Sequence, residues 1–207
     1  MITIVDTGTS NLNSIVNMFR RLGICTQVIN NPDELFGCKR LLMPGVGSFD
    51  ANMKALKLGG WIEPLSEVVI NRGVPILGIC AGMQIMTQFS EEGDEPGLGW
   101  IEGSVKKFRH VNAEIYRIPH MGWNRVERVG GPELGIDWHD TQRYYFVHSY
   151  HVACNNIDDV WLVADYGYNF VAAFAKRNIF GTQFHPEKSH KYGMSILTGY
   201  NNHHDSN

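Results

Sequence analysis

The chain has 207 residues, of which 43% are hydrophobic and 19% charged, and its formal net charge at pH 7 is −3. This length and composition allow one sizeable hydrophobic core, and they argue against a disordered chain and against a nucleic-acid-binding face. The sequence lacks an apolar run of roughly 20 residues, a charged signal-peptide region and CxxC spacing among its four cysteines, which predicts a cytoplasmic protein with free thiols and no membrane contact.

The first half of the chain alternates apolar runs with helical periodicity. The predicted elements are, in order, a strand at 1–6, a helix at 12–22, a strand at 24–29, a helix start at 31–34, a strand at 40–43, helices at 49–57 and 61–71, and a strand that leads to Cys80. Strands that alternate with helices need crossover connections, so this half predicts a parallel sheet covered by helices on both faces.

Beyond about residue 100 the pattern changes to short strands separated by turns. The predicted elements are strands at 100–108, 143–152, 160–166, 170–176 and 178–184, followed by a helix at about 189–200. We interpret these strands as mixed or antiparallel additions to the same sheet. The predicted fold is α/β, with an open, mostly parallel twisted sheet flanked by helices and antiparallel strands added in the second half. One domain over residues 1–200 and a polar tail at 201–207 are expected.

The segment Gly78–Gln84 has the layout of a nucleophile elbow. An apolar strand leads into it, a helical pattern follows it, and glycines stand two residues before and two residues after Cys80. Glycines allow a sharp backbone turn that presents the sulfur at the end of the strand, and the N-terminus of the following helix favours the thiolate. Cys80 is therefore the candidate nucleophile of a cysteine enzyme.

A base for this nucleophile is offered by the segment Gly181–Glu187. His185 ends an apolar strand, and Glu187 follows two residues later. Side chains two residues apart in an extended segment point the same way, so Glu187 can hold the imidazole while the other ring nitrogen faces Cys80. The alternative is a strand-end histidine followed by an acidic residue that only favours a helix N-terminus.

The segment Pro44–Ser48 offers the third part of a site. Small residues at the carboxyl end of a strand expose backbone N–H groups, as an oxyanion hole requires, and the amide of Ala81 would be the second donor. A phosphate-binding loop and a plain turn are the alternatives. The segment lacks the Gly-Lys-Ser/Thr ending of a P-loop, which argues against nucleotide binding.

Together, these segments resemble the class I, or triad, glutamine amidotransferases. The resemblance rests on Gly-Ile-Cys-Ala-Gly-Met-Gln (78–84) and Gln-Phe-His-Pro-Glu (183–187). Four further motifs are similar to those of the glutaminase subunits of imidazole glycerol phosphate synthases: Pro-Gly-Val-Gly (44–47), Pro-His-Met-Gly-Trp-Asn (119–124), Tyr-Phe-Val-His-Ser-Tyr (145–150) and Gly-Thr-Gln-Phe-His-Pro-Glu-Lys-Ser (181–189). These motifs span almost the whole chain.

The resemblance implies a glutaminase that releases ammonia from glutamine through a triad of Cys80, His185 and Glu187. It assigns the oxyanion hole to the backbone amides of Val46 and Ala81. The glutamine-binding residues that it implies are Gly47, Gln84, Glu92, Ser149 and Tyr150. Neither a cofactor nor a metal ion is expected.

The resemblance also implies a protein partner, because the glutaminase motifs leave no room for a barrel of about 250 residues that would consume the ammonia. A separate (β/α)8-barrel cyclase of histidine biosynthesis is expected to form a heterodimer with this chain and to receive the ammonia by channelling. The interface residues that the resemblance implies are Pro119, Met121, Trp123 and Asn124. Trp123 is expected near the ammonia passage.

Departures from the family pattern leave the pathway open. Thr7–Asn11 replaces the usual Tyr-Gly-x-Gly-Asn, Ala81 replaces a commoner leucine, and His190 follows Ser189 where the family usually has glycine. The last departure, together with Asp165–Tyr168, is similar to paralogues that supply ammonia for amidinating a surface-polysaccharide sugar. A stand-alone γ-glutamyl cysteine hydrolase is a further alternative, whereas the intact triad disfavours a non-catalytic subunit.

Overall fold

The computed structural model describes residues 1–109, 115–136, 138 and 142–203. The strands are β1 (Ile2–Val5), β2 (Thr26–Ile29), β3 (Leu41–Gly45), β4 (Ile76–Cys80), β5 (Phe89–Ser90), β6 (Gly103–Lys107), β7 (His120–Arg125), β8 (Glu127–Arg128), β9 (Arg143–His148), β10 (Tyr150–Cys154), β11 (Val160–Asp165), β12 (Asn169–Lys176) and β13 (Ile179–Thr182). The α-helices are α1 (Asn13–Arg21), α2 (Phe49–Leu58), α3 (Ile62–Ser66), α4 (Ala81–Gln84) and α5 (His190–Asn202). Of the predicted polar tail, residues 204–207 lie outside the described residues.

A large mixed sheet organises the chain. Its parallel half has the strand order β2-β1-β3-β4-β13, and the order continues through β12 and β10, both antiparallel to their neighbours, to β6 and β5. β11 pairs with β12 off this path, and β8 pairs with β11. The predicted α/β fold, with a mostly parallel first half and antiparallel strands in the second, is confirmed.

Helices cover both faces of the parallel half. Successive residues of a strand point to opposite sides of the sheet, so neighbouring residues of one strand pack against different helices. In β3, Leu41 and Met43 pack in a buried cluster that includes residues of α2 and α3, whereas Leu42 packs in a second cluster with residues of α1 and α5. A third, aromatic-rich cluster joins β9 to β11 and β12. The carboxyl ends of β3, β4 and β13 meet at one edge of the sheet, and Gly45 lies opposite Cys80 there.

The structure differs from the sequence analysis in the predicted strand 143–152. This segment divides at Ser149 into β9 and β10, and only β10 joins the large sheet. β9 pairs antiparallel with β7 in a separate two-stranded sheet, and β7 is not among the predicted strands. Its sequence, His-Met-Gly-Trp-Asn-Arg, contains a glycine and an asparagine, which disfavour strands, so its conformation depends on pairing with β9.

Two predicted helical segments are tighter or wider than an α-helix. The predicted start at 31–34 forms a 3-10 helix at Pro32–Gly37, capped by the side chain of Asn31. The predicted helix at 61–71 divides into α3 and a π-helical turn at Glu67–Asn71. The two segments differ from the prediction in their helical hydrogen-bonding pattern. They still cover the same face of the sheet.

Candidate active site

Cys80 is the last residue of β4 and directly precedes α4. Its backbone has φ 54° and ψ −113°, a positive-φ conformation that few non-glycine residues adopt. The residue is buried, with 8% of its surface exposed. The predicted strand–turn–helix arrangement of a nucleophile elbow is present, although α4 has only four residues.

Three glycines allow the backbone of the elbow to turn sharply on itself and to pack against β3. A Cβ atom added to Gly82 would lie 2.0 Å from the carbonyl oxygen of Met43, and one added to Gly45 would lie 2.2 Å from the backbone nitrogen of Gly82. A Cβ atom on Gly78 would lie 2.6 Å from the carbonyl oxygen of Gly82. All three distances are far below van der Waals contact, so these positions require glycine in the present packing.

His185 follows β13, and its ring Nδ1 lies 2.8 Å from Oε1 of Glu187. Both side chains are buried, with 4% and 6% of their surfaces exposed. The backbone of His185 is held from both sides, because its N–H donates to the carbonyl oxygen of Tyr145 and its carbonyl oxygen accepts from the hydroxyl of Ser189. The carboxylate occupies Nδ1, which leaves Nε2 for Cys80.

The charge of His185 is set by its neighbours. Burial of the ring lowers the pKa of His185, but hydrogen bonding to Cys80 and Glu187 outweighs burial and raises the pKa to about 9. The imidazolium form therefore predominates at neutral pH. The charged ring is hydrogen-bonded to Cys80, the predicted nucleophile, and carries the proton that an acid catalyst needs.

The predicted oxyanion donors flank the nucleophile. Gly45 and Cys80 are partners in the parallel register of β3 and β4, so the amide of Val46 follows directly after the residue opposite the sulfur. Val46 is 44% exposed, as expected for a residue at a cavity rim. Ala81 is the first residue of α4, and a helix contains no acceptor for an N–H at that position.

A cavity of about 390 Å³ opens beside Cys80. Its walls include the predicted nucleophile, base and oxyanion segment, namely Cys80, His185, Val46 and Ala81. They also include the predicted glutamine-binding residues, namely Gly47, Gln84, Glu92, Ser149 and Tyr150. Residues that the sequence analysis does not single out, namely Val147, His148 and Lys188, complete this side of the cavity. The cavity has the size and concavity of a small-molecule site.

Two of the predicted glutamine-binding side chains also bond within the protein. Nε2 of Gln84 donates to the carbonyl oxygen of Tyr150 and to Oε1 of Gln183, both at 3.0 Å, so only Oε1 of Gln84 can receive a donor from a substrate. Oε2 of Glu92 accepts from the N–H of Phe49 at 2.7 Å, at the start of α2, where a carboxylate is favoured. Each side chain therefore keeps one oxygen atom for a ligand, Oε1 of Gln84 and Oε1 of Glu92.

The predicted interface residues do not share one face. Met121 and Trp123 alternate onto the exposed face of β7, with 61% and 44% of their surfaces exposed. Asn124 points to the opposite face, where its Nδ2 donates to the carbonyl oxygen of Asp165 at 2.7 Å. Pro119 precedes β7 and lines the cavity described above. β7 therefore joins an exposed apolar face to the candidate active site.

Two buried side chains that the sequence analysis does not single out contact the predicted residues. Nε2 of Gln183 lies 3.7 Å from Sγ of Cys80, and Nδ2 of Asn52 donates to the carbonyl oxygen of Val46 at 2.9 Å. The sequence contains a signal for Gln183, which stands two residues before His185 in an extended segment and so points to the same side. Asn52 offers a weaker signal, as a polar residue on the buried side of α2.

Within the described residues, no group of three or more histidine, cysteine, aspartate or glutamate side chains is arranged to hold a metal ion. In the same part of the chain, no helix combines the length and apolarity needed to cross a membrane. The cysteines at 25, 38, 80 and 154 are all free thiols.

Known proteins are similar to this chain in sequence over nearly its full length. The family model "Glutamine amidotransferase class-I" matches residues 3–198. The chain is 43% identical over 201 residues to the imidazole glycerol phosphate synthase subunit HisH of Leptospira interrogans, an alignment that covers 97% of this chain and 98% of that protein. It is 41% identical over 202 residues to the imidazole glycerol phosphate synthase subunit HisH 2 of Pseudomonas aeruginosa, with the same coverage of 97% and 98%.

Solved structures share the fold. PurLQS from Thermotoga maritima superimposes with a TM-score of 0.74 at 17% identity, covering 97% of each chain. A glutamine amidotransferase from the same organism gives a TM-score of 0.65 at 17% identity, covering 97% of this chain and 81% of that one. At these identities the likeness concerns the fold alone.

Proposed function

This chain belongs to the class-I glutamine amidotransferase family, and we propose that it is the glutaminase subunit of an imidazole glycerol phosphate synthase in histidine biosynthesis. The observation that carries the chemistry is the buried His185, which is bonded to Glu187 on one side and to Cys80 on the other. The relatives support the pathway, because they carry this synthase's name and align over almost the entire chain. The proposed unit is a single glutamine amidotransferase domain over residues 1–200.

The reaction begins with attack of the Cys80 sulfur on the side-chain amide carbon of glutamine. As the carbon–nitrogen bond breaks, His185 gives its proton to the departing nitrogen, which leaves as ammonia. A γ-glutamyl thioester remains on Cys80. His185, now neutral, takes a proton from water, which attacks the thioester and releases glutamate. Glu187 holds the imidazole and stabilises its charged form throughout.

Negative charge develops on the amide oxygen in both tetrahedral intermediates. We assign its stabilisation to the backbone N–H groups of Val46 and Ala81, which follow Gly45 and Cys80 at the ends of adjacent strands. The polar atoms around the rest of the cavity are assigned to the ends of the substrate. Oε1 of Gln84 and the carboxylate of Glu92 are acceptors suited to its amino and amide hydrogens.

The partner is proposed to be a separate (β/α)8-barrel cyclase that binds the exposed face of β7 and receives ammonia from the cavity. Exposed Met121 and Trp123 support this assignment, because aromatic residues and methionine are enriched in interfaces. Pro119 supports it further, since the same strand begins at the cavity wall. Free thiols fit a reducing compartment, and the cytoplasm is the proposed location.

A sugar-amidinating synthase is the second candidate partner. His190, which departs from the family pattern, stacks on Trp123 with ring centroids 5.5 Å apart and an interplanar angle of 12°. Both residues line a surface cavity of about 640 Å³ together with Arg143, Lys191 and Tyr192. His190 therefore lies beside the proposed interface, where a change of partner requires different side chains.

The test is a glutaminase assay of the chain alone, with a histidine-pathway cyclase and with a sugar amidotransferase. We expect weak basal release of ammonia and strong stimulation by the cyclase. Cys80→Ala should abolish the release, whereas Cys25→Ala, at an exposed cysteine, serves as the matched control. Stimulation by the sugar amidotransferase alone would overturn the pathway and retain the chemistry. Ammonia release that survives in Cys80→Ala would overturn the mechanism.

A further inference from the structure

We propose that Gln183 is a positioning residue for the nucleophile: its side-chain amide donates to the Cys80 sulfur and holds it toward His185 for attack. The inference deepens the proposed glutaminase function and rests on it. Nε2 of Gln183 lies 3.7 Å from Sγ of Cys80, within hydrogen-bond distance for a sulfur acceptor. The sulfur thus lies between two donors, the amide of Gln183 and the ring of His185.

The orientation of the Gln183 amide is fixed by its other end. Oε1 of Gln183 accepts from Nε2 of Gln84 at 3.0 Å, and an amide nitrogen in that position would face another amide nitrogen. The amide therefore has one arrangement that satisfies both ends, with its oxygen toward Gln84 and its nitrogen toward the sulfur. A donor consequently faces Cys80 in the resting site.

The orientation of Gln84 is fixed in turn by β10. Its Nε2 also donates to the carbonyl oxygen of Tyr150 at 3.0 Å, so both amide hydrogens are used. The same carbonyl oxygen accepts from Nδ1 of His148 at 2.8 Å. Gln183, which donates to the Cys80 sulfur, is thus the last member of a series of hydrogen bonds that starts in the wall of the substrate cavity.

Packing alone does not require an amide at this position. Gln183 is fully buried, with 0% of its surface exposed, and the space could be filled by an apolar side chain of the same length. The backbone N–H of Gln183 donates to the carbonyl oxygen of Ala172 at 2.8 Å, which fixes its place in the sheet without the side chain. The side-chain nitrogen is therefore available for the sulfur, whose negative form it stabilises.

The test uses Gln183→Met, which keeps the length and removes the donor, and Gln183→Glu, which keeps the shape and puts an acceptor in its place. Gln27→Met, on the exposed side of β2, is the matched control. The first readout is iodoacetamide alkylation of the Cys80-containing peptide as a function of pH, followed by mass spectrometry because Cys25 is also exposed. The second readout is kcat and KM for glutamine in the presence of the stimulating synthase.

We expect the midpoint of the Cys80 alkylation profile to move up by about one pH unit in Gln183→Met, because a hydrogen bond to a charged group is worth about that much. The shift should be larger in Gln183→Glu. kcat should fall about tenfold in Gln183→Met with KM changed less than about twofold. Gln27→Met should match the wild-type chain in both readouts.

Superimposable alkylation profiles of the wild-type chain and Gln183→Met would overturn the proposal, whatever happens to kcat. A rise in KM with kcat unchanged would also overturn it, since that pattern belongs to a substrate-binding residue. If Gln183→Met does not fold, the pH profile of Cys80 alkylation is compared between the isosteric Gln183→Glu and the wild-type chain, and superimposable profiles again overturn the proposal. The profile requires no glutamine, so it reads the role of Gln183 even where the wild-type chain shows no glutaminase activity and the proposed function fails.

Discussion

Nδ1 of His120 lies 3.0 Å from Nε2 of His148, and both rings are buried between β7, β9 and the large sheet. Nδ1 of His148 lies 2.8 Å from the carbonyl oxygen of Tyr150, which can only accept, so this nitrogen carries the hydrogen. Nε2 of His148 is then the acceptor for His120. Nδ2 of Asn124 lies 3.4 Å from Nε2 of His120 and donates to it, so the hydrogen of the His120 ring is on Nδ1. A proton on Nε2 of His148 would therefore place two donors face to face, and the pair is satisfied while His148 is neutral.

This arrangement predicts a loss of stability in acid. Burial first, and then the neighbouring histidines His120, His151 and His185, hold the pKa of His148 well below its usual 6.5, against the raising effect of Tyr150. Below about pH 6.5 the unfolded chain therefore binds a proton that the folded chain does not, and the free energy of unfolding falls as the pH falls. Urea denaturation between about pH 7.5 and about pH 5.5 measures this slope.

His148→Gln is the variant that isolates the effect, because it keeps a donor and an acceptor without a titrating ring. We expect the variant to be less stable than the wild-type chain at neutral pH and to lose less stability on acidification. Parallel slopes for the two proteins over that range would contradict the assignment to His148.

The dyad of His185 and Glu187 predicts the opposite pH dependence. Burial lowers the pKa of His185, but hydrogen bonding to Cys80 and then to Glu187 outweighs burial and raises that pKa from the usual 6.5 to about 9, so the ring holds its proton more tightly in the folded chain than in the unfolded chain. This contribution to stability is fully present below about pH 6.5 and is lost as the pH rises through about 9. Glu187→Gln should lower the pKa of His185 and flatten that loss, as measured by urea denaturation in alkaline buffers.

Glu187→Gln should also reduce catalysis. The variant keeps the shape but lets an amide nitrogen face the ring and favour the wrong tautomer, as in the corresponding change of a serine-protease triad, where the rate falls about 10⁴-fold. We expect kcat to fall by about 10² to 10⁴ with a small change in KM. Glu63→Gln, on the exposed side of α3, is the control and should retain activity. A loss confined to KM would place Glu187 in substrate binding instead.

The packing of the elbow predicts an asymmetry between two glycine variants. Gly82→Ala puts a Cβ atom 2.0 Å from the carbonyl oxygen of Met43, so the backbone of β3 or α4 must move, and the free energy of unfolding should fall by at least about 2 kcal/mol. Gly37→Ala is the matched control, because its Cβ atom meets nothing within 4 Å, and should stay within about 0.5 kcal/mol. Chemical denaturation of both variants decides, and equal effects would contradict the close approach at Gly82.

The exposed face of β7 predicts that Trp123 is the main contact of this chain with its binding partner. Trp123→Ala should weaken association with the stimulating synthase about 30-fold, in the range of an aromatic hot spot of about 2 kcal/mol. Leu58→Ala, at the 89%-exposed end of α2, is the control and should bind with unchanged affinity. Isothermal titration of the two variants with the synthase measures the difference. An unchanged Kd in Trp123→Ala would remove β7 from the interface.

The parts of the site that the sequence predicts are those in which the chemistry is local. The geometry around Cys80 is determined within one short segment, because the flanking glycines are in it. The same holds for His185, because Glu187 follows two residues later. The contact of Gln183 with Gln84 depends on the register of β4 and β13, in which Thr182 lies opposite Ile79, and no single segment contains that information.

The second sheet is missed for a related reason. β7 has weak strand propensity, and its pairing partner β9 lies in a predicted strand that has to break at Ser149. The break sends one half of the predicted strand to each sheet. The sequence across 143–152 does not reveal the break, because aromatic residues and valine, which favour strands, stand on both sides of Ser149.

The alternation along β7 separates two kinds of change that this chain can undergo. Outward residues such as Met121 and Trp123 form the proposed interface, whereas the inward residue His120 is bonded to the cavity wall through His148. If β7 is the interface as proposed, exchanging only its outward side chains alters the recipient of the ammonia and leaves the release of ammonia intact. On that proposal, substitutions at every second position of this six-residue strand would change the partner and leave the catalytic residues unaltered.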